Sequence, residues 1–491
     1  MLRKTCILLM GVLLFRQTFS MSSPNTAPIQ VNFLGETSTF YSVIIRDNDG
    51  KFVKFIPASE VQKNQYSAIW NCTDFRGNNI KPGKYRIFFS NGIGWQLDRN
   101  FGNNGRIGLF YKDFTIDNFE KTAKISVEGK VSSVLVNSTE YRDTGDTLAE
   151  ETGFVIRSGI VNINSARIKR GDKIFIAYYY PCELENPWDL AVAHDGSIYV
   201  LLRFRKLLDG GYRPGSLVKL KPDGKGVDTA FGVDGQIPNF LSSHQVILVP
   251  EENLIYIAGS EFGTYGTGAY KLDSGAYWFY IGGHKDSGRH PATTWWPTGI
   301  CTGEGNKIYI GDLKVYDRTK PMLEGYLYSA TVDPYIVRPG PSIEKSNTKD
   351  CFYRTGWTTG IEKMRDTGNN VVKIYDYKPL FKTIGIGFDE KRSLLFAGSR
   401  IPDGFVSVIY DDGKSLKEIA KLEDKELCGI HTVRVFNDFL YIVEDGVSYS
   451  ESGYCAEETN TKAFTSKGKN RISRYKLLFG KEKLLKIVEI Q

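Results

Sequence analysis

Five residues stand at or near the start of a recurring strand-like phrase and carry side chains able to bind or react: Asp189, His244, Thr298, Thr383 and His431. If the phrases are the innermost strands of a radial β-repeat, these residues converge near one mouth of a central channel. One carboxylate, two imidazoles and two hydroxyls would make a polar ligand site. An oxygen-rich set suits Ca2+ or Mg2+, and a cation held there could polarise an ester or lactone carbonyl. No Glu or Asn stands at a matching position, so the metal set on this alternative is Asp189, His244 and His431. Trp295 and Trp296 precede the third phrase, with His284, Arg289 and His290 in the same connection. Aromatic pairs of this kind stack on sugars or grip a peptide. The candidate ligand-binding residues at the channel mouth are therefore Asp189, His244, Trp295, Trp296, Thr298 and His431. Against this stands the plainer reading that polar groups at strand ends cap the sheet and bind channel water.

The elements that must position these residues are legible as repeats. Asn186-Pro187-Trp188-Asp189-Leu190-Ala191-Val192 leads through the turn His194-Asp195-Gly196 into Ser197-Ile198-Tyr199-Val200. Ser243 to Ile247 leads to Ile255-Tyr256-Ile257, and Trp296-Pro297-Thr298-Gly299-Ile300 leads to Ile308-Tyr309-Ile310. In all three the tyrosine lies 12 residues after the Pro or His that opens the phrase. Ile384 to Phe388 before Leu394-Leu395-Phe396, and Ile430 to Val435 before Leu440-Tyr441-Ile442, are looser copies. A second phrase ends in Tyr or Leu followed by Asp: Leu272-Asp273, Tyr316-Asp317, Tyr375-Asp376 and Tyr410-Asp411. Leu217 to Leu220 and Ile472 to Leu477 extend that series at either end. The spacing predicts six units, close to the roughly 40–50 residues of a propeller blade. The fourth unit lacks a clear opening phrase, and Tyr326-Leu327-Tyr328 is expected to stand in for it, before the Pro-rich insert Pro334 to Pro341. The run Tyr277-Trp278-Phe279-Tyr280 alternates as a packed blade strand does, while Tyr178-Tyr179-Tyr180 is a further candidate for sugar or peptide contact.

These phrases resemble NHL-type and related six-bladed propeller repeats, in which a Pro-x-Gly-Ile strand precedes an acidic-glycine turn and an Ile-Tyr-Val strand. The resemblance covers roughly residues 182 to 491 and implies a fold rather than an activity. Six-bladed lactonases and related hydrolases hold a divalent cation at the channel mouth with Glu, Asn and Asp, which is the source of the hydrolase alternative. Upstream, Trp70, Gly77, Asn78, Pro82, Gly83 and Tyr85 fall in the order of the FlgD-type immunoglobulin-like module. Trp70-Asn71-Cys72 replaces that family's Trp-Asp-Gly. The module implies a bacterial source, in which Asn71-Cys72-Thr73 and Asn137-Ser138-Thr139 are chance glycosylation patterns. Physically, Trp70 and Tyr85 can fill a sandwich core and Pro82-Gly83 presets a turn. Asp47-x-Asp49-Gly50 lacks the spacing of a calcium loop and reads as a hairpin turn.

The 491 residues exceed what one core can hold, and 13% aromatic residues with 50 Gly favour β structure. Residues 1–20 read as a secretory signal peptide: Arg3 and Lys4, then the apolar run Cys6 to Phe15, then Thr18-Phe19-Ser20. That run rises only about 15 Å as a helix, too short to span a bilayer, so no transmembrane segment is expected in the mature chain. The formal charge of +7 falls to +4 once Arg3, Lys4 and Arg16 are subtracted, with no basic block, which argues against a nucleic-acid partner. Removing Cys6 leaves Cys72, Cys182, Cys301, Cys351, Cys428 and Cys455. Export permits disulfides, and the pairs Cys301–Cys351 and Cys428–Cys455, flanking single repeats, are the expectation. There is no nucleophile elbow, zincin motif, Walker loop or dinucleotide fingerprint, so no catalytic residue is assigned.

The sequence therefore predicts an all-β chain: a FlgD-like immunoglobulin sandwich with its connector at 28–114, a second β segment or sandwich at 115–181, and a propeller, six-bladed by count, at 182–491. Asn137 to Thr152 is expected to be a loop. Asp98-x-x-Phe101-Gly102-x-x-Gly105-x-Ile107 recurs as Asp228-x-x-Phe231-Gly232-x-x-Gly235-x-Ile237, which suggests that the N-terminal region packs on the propeller. The functional reading is a secreted or periplasmic, non-enzymatic binding or scaffold protein whose propeller loops contact a protein, peptide or glycan, with no cofactor. The alternative is an extracytoplasmic, metal-dependent, lactonase-like propeller hydrolase.

Overall fold

A computed structural model describes residues 27–36, 40–101, 106–115, 122–126, 130–137, 139–143, 153–157, 160–164, 168–182, 187–202, 205–206, 212–213, 215–224, 226–233, 235–261, 264–282, 298–311, 313–321, 323–330, 342–356, 360–379, 383–400, 404–445, 448–449, 464–465 and 470–490. Almost all of the regular structure is β-strand, and among the described residues no helix is long and apolar enough to cross a membrane.

Six four-stranded antiparallel sheets radiate from an axis. Their innermost strands are Pro187–Val192, the later part of Gln236–Val249, Ile300–Thr302, Ile343–Lys345, Ile386–Asp389 and Ile430–Phe436, and these touch one another in cyclic order back to the first. The chain is a six-bladed β-propeller with its ring closed. Blades one and two share a strand: Gln236–Val249 is the outermost of blade one at its start and the innermost of blade two at its end. The turn at Gly196, where φ is +86°, reverses the chain between the first two strands of blade one, with Asp195 Oδ1 accepting the Ser197 N–H. A side chain at that φ would be strained.

The recurring tyrosine has a physical reason. In blades one to four it sits on the second strand and reaches the end of the third strand of the next blade. Tyr199 Oη donates to the Leu272 carbonyl at 3.3 Å, Tyr256 to the Arg318 carbonyl at 3.4 Å, Tyr309 to Asp366 at 2.8 Å, and Tyr353 to Asp411. The last two carboxylates are the better-built sockets. Asp366 also receives Lys307 Nζ at 2.7 Å and Tyr328 Oη at 2.7 Å, and Asp411 receives Lys363 Nζ at 2.5 Å and Tyr375 Oη at 2.6 Å. The two phrases seen in the sequence are thus the two halves of one inter-blade joint. Apolar clusters fill the rest of each junction, as where Leu190, Val200 and Val218 of blade one meet Tyr441, Val443 and Ile472 of blade six.

Two expectations about the repeats are corrected. Tyr326–Ser329 is the outermost strand of blade three, and blade four opens with the short strand Ile343–Lys345 instead. Tyr375-Asp376 lies on the outermost strand of blade four, Val371–Tyr377; the residue that plays the part of Asp317 and Asp411 there is Asp366.

The N-terminal sandwich pairs the sheet of Ile29–Leu34, Gln65–Trp70 and Ser59–Gln62 with that of Phe52–Pro57, Tyr41–Asp47, Gly83–Asn91 and Lys483–Ile490. Trp70 is wholly buried at its centre, its Nε1–H on the Thr73 carbonyl at 2.9 Å and its ring edge-on to Tyr85 at 5.4 Å. Asp47 to Lys51 forms the expected hairpin turn, with Asp47 Oδ1 accepting the N–H groups of Asp49 and Lys51. Tyr41–Asp47, an inner strand of the second sheet, is covered on both sides: Val43 and Ile45 face the sandwich core, while Ile44 joins Phe396, Val408 and Leu440 of the propeller.

The chain termini cross between the two bodies. Ile93–Phe101 is the outermost strand of blade six, paired with Asn470–Phe479, and Lys483–Ile490 returns to pair with Gly83–Asn91. A Cβ on Gly480, at the crossing, would lie 1.6 Å from the Asn91 carbonyl oxygen. The N-terminal region therefore completes the propeller, which is more than packing upon it. Phe101 and Phe231, the buried aromatics of the repeated connector, wedge the junctions of blades six and one and of blades one and two.

Between Ile93–Phe101 and the first strand of blade one lies a nine-stranded sheet built from strands between Arg106 and Cys182, joined by Arg205–Lys206 and Tyr212–Arg213 of blade one. The expected loop at Asn137 to Thr152 contains the strand Thr139–Asp143, paired with Lys130–Val136 after a turn at Asn137. Gly153–Arg157 and Ile160–Asn164 form a hairpin in the same sheet.

Candidate functional site

The six innermost strands bring polar residues to the propeller axis in two adjoining layers. In the deeper layer Arg434, on the innermost strand of blade six, reaches across the channel. Its Nη2 lies 2.7 Å from Asp189 Oδ1 of blade one and its Nη1 lies 2.8 Å from Glu344 Oε1 of blade four. Nη1 also donates to the Ile386 carbonyl of blade five and to Ser342 Oγ at 3.3 Å. Asp189 Oδ2 accepts the Val246 N–H of blade two at 2.9 Å. Gln245 closes the circle: its Oε1 accepts the N–H groups of Ile300 at 2.9 Å and Ile343 at 3.0 Å, and its Nε2 donates to the Ile343 carbonyl at 2.8 Å. Every blade is held by at least one bond of this clasp.

Electrostatics follow from burial. Removal from water pushes the Asp189 carboxyl above its ordinary value, with Arg434 and the Val246 N–H pulling it back. Because Arg434 and an N–H engage its two oxygens, the ionised form is the one the geometry fits. Glu344 is pushed up to about 7, again chiefly by burial, with Arg434 opposing and Asp189 adding repulsion. Burial works against the Arg434 charge, but Asp189 and Glu344 outweigh it and hold the guanidinium above the ordinary arginine value.

The second layer lies at the end where the innermost strands begin. Trp188 is its hub: the His431 ring stands 3.7 Å away, His244 meets it edge-on at 5.8 Å, and the Arg400 guanidinium lies 5.9 Å from its centroid. His431 Nδ1 is 2.7 Å from the Trp188 carbonyl, which can only accept, so this nitrogen carries a proton. The hydroxyls of Ser243 and Thr383 are buried without a hydrogen-bond partner among the described residues. Thr298, just before the innermost strand of blade three, is buried too.

The sequence-predicted residues thus fare unequally. Asp189, His244, Thr298, Thr383 and His431 come to the inner ends of the blades, where Arg434 engages Asp189. The residues of the alternative metal set take different partners: Asp189 is held by Arg434 while His244 and His431 pack on Trp188, and among the described residues no group of three or more His, Cys, Asp or Glu side chains is placed to hold a metal ion. Trp295 and Trp296, with His284, Arg289 and His290, lie outside the described residues. The expected Cys301–Cys351 bridge is absent: both are free, buried thiols, one on the innermost strand of blade three and the other at the start of the second strand of blade four. Burial and the nearby Glu344 push the Cys301 thiol well up, so it sits as an inert apolar group. Cys455 lies outside the described residues, and with it the Cys428–Cys455 expectation.

Sequence reasoning missed Arg434, Glu344, Gln245, Trp188 and Arg400. A signal was present for one of them. Arg434, like Asp189, interrupts an apolar strand segment with a charge, and a charge at an innermost-strand position must meet its opposite across the axis.

No protein-family model matches the chain, and no curated protein matches it. Solved structures to which it is similar include a structural genomics protein of unknown function from Bacteroides thetaiotaomicron, 11% identical, covering 94% of this chain and 100% of that one at a TM-score of 0.40. The WD40 repeats of RRP9 are 12% identical, with 60% of this chain and 95% of that one covered at a TM-score of 0.39. Kuenenia stuttgartiensis hydrazine synthase is 10% identical, with 52% and 92% covered at a TM-score of 0.33. None of these lends this chain an activity.

Proposed function

We propose that this is an exported, non-enzymatic binding or scaffold protein that contacts a protein, peptide or glycan through the mouth end of its propeller. The observation that carries this reading is the clasp. A catalytic centre in the deeper layer of the axis needs polar groups free to touch substrate, and there Asp189, Gln245, Glu344 and Arg434 spend their donors and acceptors on one another and on the strands. The other candidate surface is the mouth end. The strand ends that flank residues 203–214, 282–299, 330–342 and 446–469 all lie at the mouth end, as do those that flank the 102–186 insertion between blades six and one. Binding in propellers is carried by such connections on a rigid ring. The FlgD-like and NHL-like resemblances agree with an extracytoplasmic role, the sandwich serving as spacer or docking module.

The test compares the wild-type protein with Trp295→Ala/Trp296→Ala for retention of components of the producing cell's envelope and on a glycan array. Loss of a specific interaction in the double variant, with folding intact, supports the reading. Turnover of lactone or ester substrates that falls with the same substitutions would overturn it. Export is checked separately: the secreted protein should begin near Met21, and retention of residues 1–20 in a cytoplasmic product would refute it.

A further inference from the structure

A cleft of about 730 Å3 opens between the sandwich and blade five, away from the propeller axis. That is within the range that holds a small ligand. Its walls combine Phe40 and Tyr410 with the polar groups of Ser59, Asn71, Glu60 and Asp412, one oxygen of Glu60 accepting the Asn64 N–H. At one side stands Lys54. Its Nζ donates to Thr73 Oγ1 at 3.1 Å and to the Asp74 carbonyl at 2.7 Å, both neutral acceptors. Among the described residues no carboxylate lies within ion-pairing distance of it. Asp74 acts only through space, its own carboxylate being occupied by the N–H groups of Arg76 and Asn78. Burial lowers the Lys54 pKa, as expected of an ammonium short of a counter-charge. The opposite wall has a lysine too, but Lys417 is already paired with Asp412 at 2.7 Å.

The strand edges around the cleft argue against an added peptide strand. Phe52–Pro57 ends at the cleft in Pro57, which has no N–H to donate. Ser59–Gln62 is bulged between Glu60 and Gln62, and Leu416–Glu423 is bulged at Ile419, itself in the cleft wall. Interrupted edges are poor templates for β-augmentation. What remains is recognition by side chains: flat rings for C–H faces, hydroxyl and amide groups for hydroxyls, and one ammonium for a negative charge.

The geometry points to a binding site in this cleft for an acidic oligosaccharide, with Lys54 receiving a uronate carboxylate and Phe40 and Tyr410 lining the sugar faces. This site does not depend on the mouth reading and would survive its failure.

Isothermal titration of the full chain with tetragalacturonate, maltotetraose and tetraglutamate tests it. Tetragalacturonate should bind at least about tenfold more tightly than the neutral maltotetraose, since a charge-assisted hydrogen bond separates them. Lys54→Met should remove that advantage. Ser59→Trp, on the exposed rim, should weaken binding by obstruction without touching the half-buried lysine, and it keeps the test alive if the first variant misfolds. Tetraglutamate binding as tightly as tetragalacturonate would overturn the sugar assignment. Failure of tetragalacturonate to bind, or binding unchanged in either folded variant, would overturn the site.

Discussion

Replacing Arg434 by Met tests whether the axis is held by the clasp or merely decorated by it. The substitution keeps a long flexible side chain but strands two carboxylates: Asp189, whose side chain is wholly buried, and Glu344, about a quarter exposed. Asp189 keeps only the Val246 N–H among its cross-strand partners, and the carbonyl of Ile386 loses a donor. Removing one partner of a buried ion pair costs about 3–5 kcal/mol. The expected result is a loss of that size in reversible urea unfolding followed by tryptophan fluorescence. Faster hydrogen exchange should accompany it at the Val246 amide, which reports the clasp directly. The triple variant Asp189→Asn/Glu344→Gln/Arg434→Met removes the charges together and should recover most of the loss, because neutral replacements for a buried ionic set are often close to neutral in stability. A loss below about 1 kcal/mol in Arg434→Met, or a triple variant as unstable as the sum of the singles, would refute the reasoning.

Three further outcomes follow from the same contacts. Glu344 rises from 4.5 to about 7 on folding, so the folded chain holds its proton more tightly; stability should fall as pH rises from about 4.5 through about 7, by up to about 3 kcal/mol, and be flat above. Urea midpoints at pH 5 and pH 8 check this, and Glu344→Gln should flatten the slope. Asp366 receives Lys307, Tyr309, Tyr328 and the Gly368 N–H, so Asp366→Asn should cost about 3–5 kcal/mol against about 1 kcal/mol for Tyr309→Phe; equal losses would deny the carboxylate its place as the joint between blades three and four. Phe101→Ala should cost about 3–5 kcal/mol in thermal or urea unfolding, because its buried ring fills the junction of blades six and one directly against Gly224.

The parts of this fold that could be read from the sequence are those written in residues spaced a fixed distance apart. Tyr199, Tyr256 and Tyr309 share a register because each must reach the same point on the next blade, and that geometric demand is what produced the repeat. Reading weakened where the demand is met differently. Blade five carries Leu395 and Phe396 where the others carry tyrosine, and blade four opens with only Ile343–Lys345. The terminal exchange left no such trace: Trp95 pairs with Leu477 and Tyr85 with Val488 across nearly the whole chain, and no periodicity records a partner so distant. At the axis, inspecting only the residue that opens each phrase found Asp189 and the two histidines. It passed over Arg434, four residues into its strand, whose charge gives Asp189 its role.

That exchange of termini changes what counts as a unit of this protein. A propeller cut out at residue 182 by repeat boundaries would lack Ile93–Phe101, leaving the whole length of Asn470–Phe479 as an open edge, with Ile472 and Tyr475 stripped of neighbours now buried with them. It would also carry Lys483–Ile490 without the sandwich strand that pairs with it. An exposed edge of that length is a template for aggregation, and Phe101 would be missing from the junction of blades six and one, across which Arg434 meets Asp189. The sandwich, conversely, would lose one of the four strands of its second sheet and the apolar cover over Ile44 and Phe55. Cleft, clasp and mouth therefore depend on one continuous packing, and a ligand bound between sandwich and blade five would bear on a sheet that abuts the same blades whose inner strands make the clasp. Binding measured on fragments would report on neither site as the chain builds it.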